Sequence, residues 1–139
     1  MTVVSFAAMY CLMYSMVNSF ANVYANANNL YMAGLMAMPM VVIELLVMHA
    51  MYTDRRRNGL VGGVAIIAGV AFFILIRVQG GVGDRQFVRS MIPHHASAIL
   101  MCQQAPIRDE EVRKLCGEIV SGQQREVDQM KAILDRLDR

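Results

Sequence analysis

The stretch Met91-Ile92-Pro93-His94-His95-Ala96-Ser97-Ala98-Ile99-Leu100-Met101-Cys102 decides how this chain is read. Apolar residues recur at Phe87, Val88, Met91, Ile92, Ala98, Ile99 and Met101 with roughly a 3.6-residue period, which predicts a helix. Pro93 sits inside it, removing one backbone donor and crowding the carbonyl one turn earlier, so a kink is expected just before the histidines. Two of the chain's three histidines stand side by side here, with thioether sulfurs on either side. Imidazole suits copper and zinc, and thioether is a soft ligand that selects Cu(I). Met91 and His95 share a helix face and Met91 and His94 nearly do, whereas Met101 lies about two turns beyond His94. Adjacent histidines point about 100° apart, so one helix cannot aim both squarely at a single ion. A metal site on Met91, His94 and His95 is one reading of this pattern. The other is an apolar helix face with hydrogen-bonded histidines.

Outward from this helix the composition divides. The chain has 139 residues and 56% of them are hydrophobic, too high a share for an ordinary soluble domain. Up to Val78 the only charged side chains are Glu44, Asp54, Arg55, Arg56, Arg57 and Arg77. From Asp84 onward nine acidic and nine basic residues balance, so the net charge of +2 arises in the first part. No aromatics interleave with basic residues, which excludes a nucleic-acid-binding surface. Cys11, Cys102 and Cys116 form no zinc-type spacing and give no disulfide framework.

The first part predicts three transmembrane helices, each needing about 20 apolar residues, over 3–22, 32–52 and 60–78. Between the first two lies a polar loop with Asn22, Asn26, Asn28 and Asn29, where Tyr24 and Tyr31 suit a membrane interface. Thr53 to Gly59 is a short basic loop, and Gln79-Gly80-Gly81-Val82-Gly83 a flexible linker. Arginines mark the cytoplasmic side, so Arg55 to Arg57 put the N-terminus in the cytoplasm and everything after Gly80 outside. The expected domains are thus a membrane anchor over 1–80 and an external domain over 81–139. Inside the second span Met32, Met36, Met40, Glu44 and Met48 recur every four residues, with His49 and Met51 beside its end. This stripe reads first as helix packing, with Glu44 hydrogen-bonded, and second as a thioether path for Cu(I). Ala65 and Gly69 on the third span form a small-residue pair that permits close helix approach.

The external part predicts two helices, the first capped by Asp84 and running to about Gln104, the second opened by Asp109-Glu110-Glu111. A hairpin folded symmetrically about Pro106 sets Glu118 level with His95, Gly122 with Met91 and Glu126 with Phe87. Glu118 is then the nearest carboxylate and Gln123 the nearest amide. The same register sets Cys102 and Cys116 out of level, so no bridge is expected between them. A hairpin this small buries one side of each helix and is expected to pair with a second copy as a four-helix bundle.

The pattern Asp84-x-x-Phe87-x-x-x-Met91-Ile92-Pro93-His94-His95-x-x-Ala98-Ile99-x-Met101, continued by Ala105, Ile119, Gln123, Glu126 and Met130, resembles the bacterial ferritin-like family catalogued as domain of unknown function 305. Val127 stands where that family usually has Ile, and Ala96-Ser97 replaces its commoner Ser. The three spans resemble a membrane-anchored subgroup. The resemblance implies four-helix packing of paired domains, an association with copper and copper-resistance proteins, and a role for the His and Met positions. It adds Gln123, Glu126 and Met130 as neighbours of a metal site on Met91, His94, His95 and Met101.

The expected protein is therefore all-α: three transmembrane helices followed by a ferritin-like two-helix hairpin that completes a four-helix bundle by oligomerisation. It is expected in the bacterial inner membrane with the hairpin in the periplasm. Its expected function is to bind a copper ion for tolerance or delivery, with the lipid bilayer, a second copy and a copper-handling protein as partners. The alternative is a structural or accessory subunit whose histidines pack and hydrogen-bond. No catalytic constellation is found, and the Glu-x-x-His pairs of di-iron bundles do not occur.

Overall fold

Apolar periodicity gives way to helix throughout: the computed structural model describes residues 2–139, and these hold five α-helices and no strand. Met1, counted within the anchor, lies outside the described residues. The helices are α1 (Thr2–Leu12), α2 (Ala27–Val47), α3 (Arg55–Val78), α4 (Asp84–Gln104) and α5 (Glu110–Leu137). They fall into two compact units, one of α1 with Asn28–Gly81 and one of Tyr14–Ala27 with Val82–Arg139.

In the first unit α2 and α3 are the two described helices long and apolar enough to cross a membrane. The segment expected as a first span is shorter. α1 ends at Leu12, tight 3-10 turns follow at Met13–Met16 and Phe20–Asn22, and the helical run stops between them. Polar side chains account for the break. Ser19 is extended and takes the Ala21 N–H at 3.4 Å, and the Asn22 amide donates to Asn18 Oδ1 at 2.8 Å. Each offers the backbone a local alternative to the helical ladder.

Small residues set the approach of α2 to α3. Ala33, Gly34, Ala37 and Ala65 are buried, and a Cβ on Gly69 would stand 3.4 Å from Met38 Cβ. A Cβ on Gly34 would lie 2.5 Å from the Phe72 ring, so any larger residue there requires the ring to shift. The basic stretch expected as a loop is instead the first turn of α3, because Asp54 accepts the Arg57 N–H at 3.1 Å and caps the helix. The expected flexible linker is also built into the fold. Gln79 adopts a left-handed conformation (φ 49°), the Gly80 N–H closes on Leu75 O at 3.0 Å, and the Tyr31 hydroxyl donates to Gly80 O at 2.7 Å.

In the second unit α4 and α5 form an antiparallel hairpin. Val88, Ile92, Ala96 and Ile99 recur along one face of α4 and are buried, as are Val127 and Leu134 of α5. Tyr24, Met130 and Ile133 pack against this core. The segment Tyr14–Ala27, expected as the end of the first span up to Asn22 and a polar loop from Val23, thus lies on the hairpin. Tyr14 donates to Tyr24 O at 2.9 Å, and Gln86 accepts the Ala27 N–H at 3.1 Å. Asp84 is the first residue of α4 rather than its cap, which is Gly83. Asp109 caps α5 by accepting from the Val112 N–H at 3.0 Å.

Two features overturn the symmetric register. Cys102 and Cys116 are joined in a disulfide with their Cα atoms 5.2 Å apart, where no bridge was expected. His95 meets Glu126 rather than Glu118, roughly two turns further along α5. The cause is the connection. Ala105 and Asp109 are extended and Ile107 N–H bonds Ala105 O at 2.8 Å, so the chain overshoots the end of α4 before α5 begins.

Candidate metal site on the α4–α5 hairpin

His95 is fixed from both sides of its ring. Nδ1 lies 2.9 Å from Met91 O, one turn earlier on α4, and Nε2 lies 2.8 Å from Glu126 Oε2 on α5. A carbonyl oxygen only accepts, so Nδ1 carries a hydrogen and Nε2 is the nitrogen turned to the carboxylate. The His95 side chain is 12% exposed and that of Glu126 57%. The buried face of α4, with Ile92, Pro93 and Ala96, sets this orientation by bringing its neighbour His95 to the rim of the hairpin. α4 runs through Pro93 without interruption, and Ser97 Oγ bonds the Pro93 carbonyl at 2.9 Å.

The other expected site residues are distributed around this pair. His94 is exposed, its ring centroid 5.9 Å from that of His95 and its plane tilted by 64°. Met91 and Met130 are half-buried, and the register set by Cys102–Cys116 and His95–Glu126 places them level across the two helices. Gln123 precedes Glu126 by three residues and shares its face; its Oε1 is buried without a hydrogen-bond partner. Met101 is 52% exposed and adjoins the disulfide at Cys102, away from His95. Among the described residues no group of three or more His, Cys, Asp and Glu side chains gathers at one point. The single chain therefore offers one imidazole and one carboxylate in contact, with thioethers and an amide along the adjoining faces.

In the first unit Glu44 accepts from the Tyr52 hydroxyl at 3.3 Å, and His49 Nδ1 lies 3.1 Å from Leu46 O. These two groups are held by neighbours on their own segment rather than aimed at each other. Of the site's features, the disulfide and the Met91 carbonyl were missed in the sequence. The signal for the first was present: Cys102 and Cys116 flank one connection, while Cys11 lies in an apolar helix.

Fold and site together define a disulfide-closed helical hairpin, with a His–Glu pair on its rim, carried on a chain with two long apolar helices. The chain belongs to the family described as Domain of unknown function (DUF305), whose model matches residues 74–138. It is similar to the "Uncharacterized protein L153" of Acanthamoeba polyphaga mimivirus, 30% identical over 138 residues, covering 97% of this chain and 89% of that protein. No solved structure matches.

Proposed function

We propose that this protein is a membrane-anchored metal-binding protein, with copper as its metal, acting in copper tolerance or delivery together with a copper-handling partner. In this reading α2 and α3 cross the bilayer, the apolar α1 segment supplies a third span, and Asp54 to Arg57 lie on the cytoplasmic side. The hairpin lies on the opposite face, the periplasm in a bacterial cell. The Cys102–Cys116 bridge supports that placement, since disulfides persist in oxidising compartments.

The observation that carries the reading is the way His95 is held. Imidazoles that bind metals almost always donate their other ring N–H to a carbonyl, carboxylate or water, which fixes the tautomer. Met91 O has that role here and leaves Nε2 facing Glu126 Oε2 at 2.8 Å, a separation that lets both atoms reach one ion. The thioethers of Met91 and Met130 favour Cu(I) among the ions an imidazole accepts. Gln123 offers the family-matched amide, its Oε1 buried and unsatisfied. A second copy packed as a four-helix bundle would bring in the exposed His94 and Met101.

Cu(I) titration of the detergent-purified full chain tests this. Wild type is expected to bind stoichiometrically, His95→Ala to abolish binding, and His94→Ala to weaken it. Undiminished binding in His95→Ala would sink the assignment. One observation favours a second reading, that of a structural subunit: both ring nitrogens of His95 already have protein partners. On that reading the wild type binds no metal, its melting is indifferent to copper, and His95→Ala lowers stability alone.

A further inference from the structure

Where α2 ends and α3 begins, the chain walls a cavity of about 530 Å³. Its lining divides by chemistry: Val42, Leu45 and Leu46 form an apolar side, and His49, Tyr52 and Arg55 a polar one. The polar side carries one positive charge, that of Arg55, which no ion pair offsets among the described residues. Asp54 is taken up by Arg57 at 3.0 Å, whereas Arg55 and Arg56 make no ion pair among the described residues. Glu44, the other acid of this region, is engaged by the Tyr52 hydroxyl. His49 turns Nδ1 to Leu46 O. The Asn58 amide donates to Tyr52 O at 2.7 Å and braces the turn that forms the cavity's wall.

We propose that this cavity binds an anionic phospholipid, with Arg55 of its lining on the phosphate headgroup, the neighbouring Arg56 adding positive charge from outside the lining, and an acyl chain along Val42 and Leu45. A cationic rim above an apolar wall, at the end of a pair of long apolar helices, matches an amphiphile with a charged head. Basic pockets between spans recognise such headgroups. The inference rests on the reading of α2 and α3 as spans and is independent of copper. Arginines that only set orientation in the membrane need charge but no cavity, and would show no preference for one retained lipid over another.

The test uses the full chain in phosphatidylcholine bilayers containing a minor fraction of phosphatidylglycerol, with the lipid retained after detergent extraction counted by mass spectrometry. Phosphatidylglycerol is expected to be enriched over phosphatidylcholine. Arg55→Gln should reduce the enrichment about fivefold and Arg55→Gln with Arg56→Gln by about the square of that, while Arg125→Gln on α5 leaves it unchanged. Retention of the two lipids in the bilayer's own proportions by a chain that resists carbonate extraction overturns the lipid site and spares the membrane reading. A chain that carbonate strips from the bilayer overturns both. Displacement of phosphatidylglycerol by inorganic phosphate alone also overturns the lipid assignment, in favour of a soluble phosphate.

Discussion

His95 illustrates how a single residue separates binding from stability. Its Nδ1 hydrogen is committed to Met91 O, so what satisfies the pair at Nε2 and Glu126 is either a proton shared between them or a metal cation bound beside them by both. Glu126 is 57% exposed, so the pair behaves electrostatically as a surface contact worth at most about 1 kcal/mol. Glu126→Gln keeps the side-chain length and removes the charge. It is expected to change urea-denaturation stability by less than about 1 kcal/mol and to lower Cu(I) affinity by about tenfold or more in competitive titration. Ile92→Ala is expected to do the reverse. Ile92 is fully buried in the hairpin core, so truncating it should cost about 2–5 kcal/mol through lost contacts and the cavity left behind. Copper affinity of the fraction that remains folded should hold. The importance of the adjacent histidines was legible from the sequence, because their residue types and the flanking methionines carry the chemistry. Their inequality was not. Which of the two faces α5 depends on where the core stripe of α4 lies, and His94 and His95 differ by only one position in that pattern.

At the scale of elements the helices were easier to read than the way they meet. α4 and α5 appear close to where apolar periodicity and the Asp109-Glu110-Glu111 start signal put them. Their register depends on five residues between Ala105 and Asp109, whose extended ends add axial length that no periodicity reports. That is why Glu118 was expected opposite His95 and the Cys102–Cys116 bridge was not expected. The bridge closes a loop with a sequence separation of 14, and in the chain-entropy account a loop of this size contributes about 3 kcal/mol. Reduction, or Cys102→Ser with Cys116→Ser, should therefore lower unfolding free energy by about 2–4 kcal/mol, read from denaturant midpoints with and without reductant. If reduction leaves the midpoint unchanged, the hairpin is held by its apolar core alone. Between α2 and α3 the small residues were legible as a packing signal at Ala65 and Gly69, but Gly34 was passed over. Its partner Phe72 lies on another helix, and the sequence gives no direct sign of that contact. Gly34→Val should push the Phe72 ring aside and lower the melting temperature in detergent, at a cost of about 1–3 kcal/mol. Gly63→Ala, where an added Cβ meets nothing within 4 Å, should not destabilise the pair.

For the whole molecule the informative fact is that residues 14–27 and 82–139 belong to one compact unit, although the two long apolar helices separate them in sequence. A packed unit cannot straddle a bilayer, so if α2 and α3 span, both segments lie on one face and the turn between α2 and α3 on the other. Charge and hydropathy alone put the loop from Val23 and everything after Gly80 on one face, opposite the arginines at positions 55–57, but kept residues 14–22 inside a first span. The number of crossings before α2 is what they leave to measurement. α1 covers 11 residues, about 16 Å at 1.5 Å per residue, and the 3-10 turn through Met16 adds about 8 Å at 2.0 Å per residue, still short of roughly 30 Å of hydrocarbon. Single cysteines in a Cys11→Ser background, labelled with a membrane-impermeant maleimide, address both points, because the bridged Cys102 and Cys116 do not react. Ser19→Cys and Gln124→Cys should label from the same face, and Thr53→Cys from the opposite one. Labelling of Ser19→Cys and Gln124→Cys from opposite faces would break the second unit and the anchor reading with it. Val3→Cys then decides the count. If it labels with Thr53→Cys, α1 crosses, which with so short a helix requires local thinning of the bilayer or a longer helical run in the membrane. If it labels with Ser19→Cys, α1 lies along the outer interface and the anchor is a two-span hairpin, with the polar break at Asn18 and Ser19 as the reason the first span never forms.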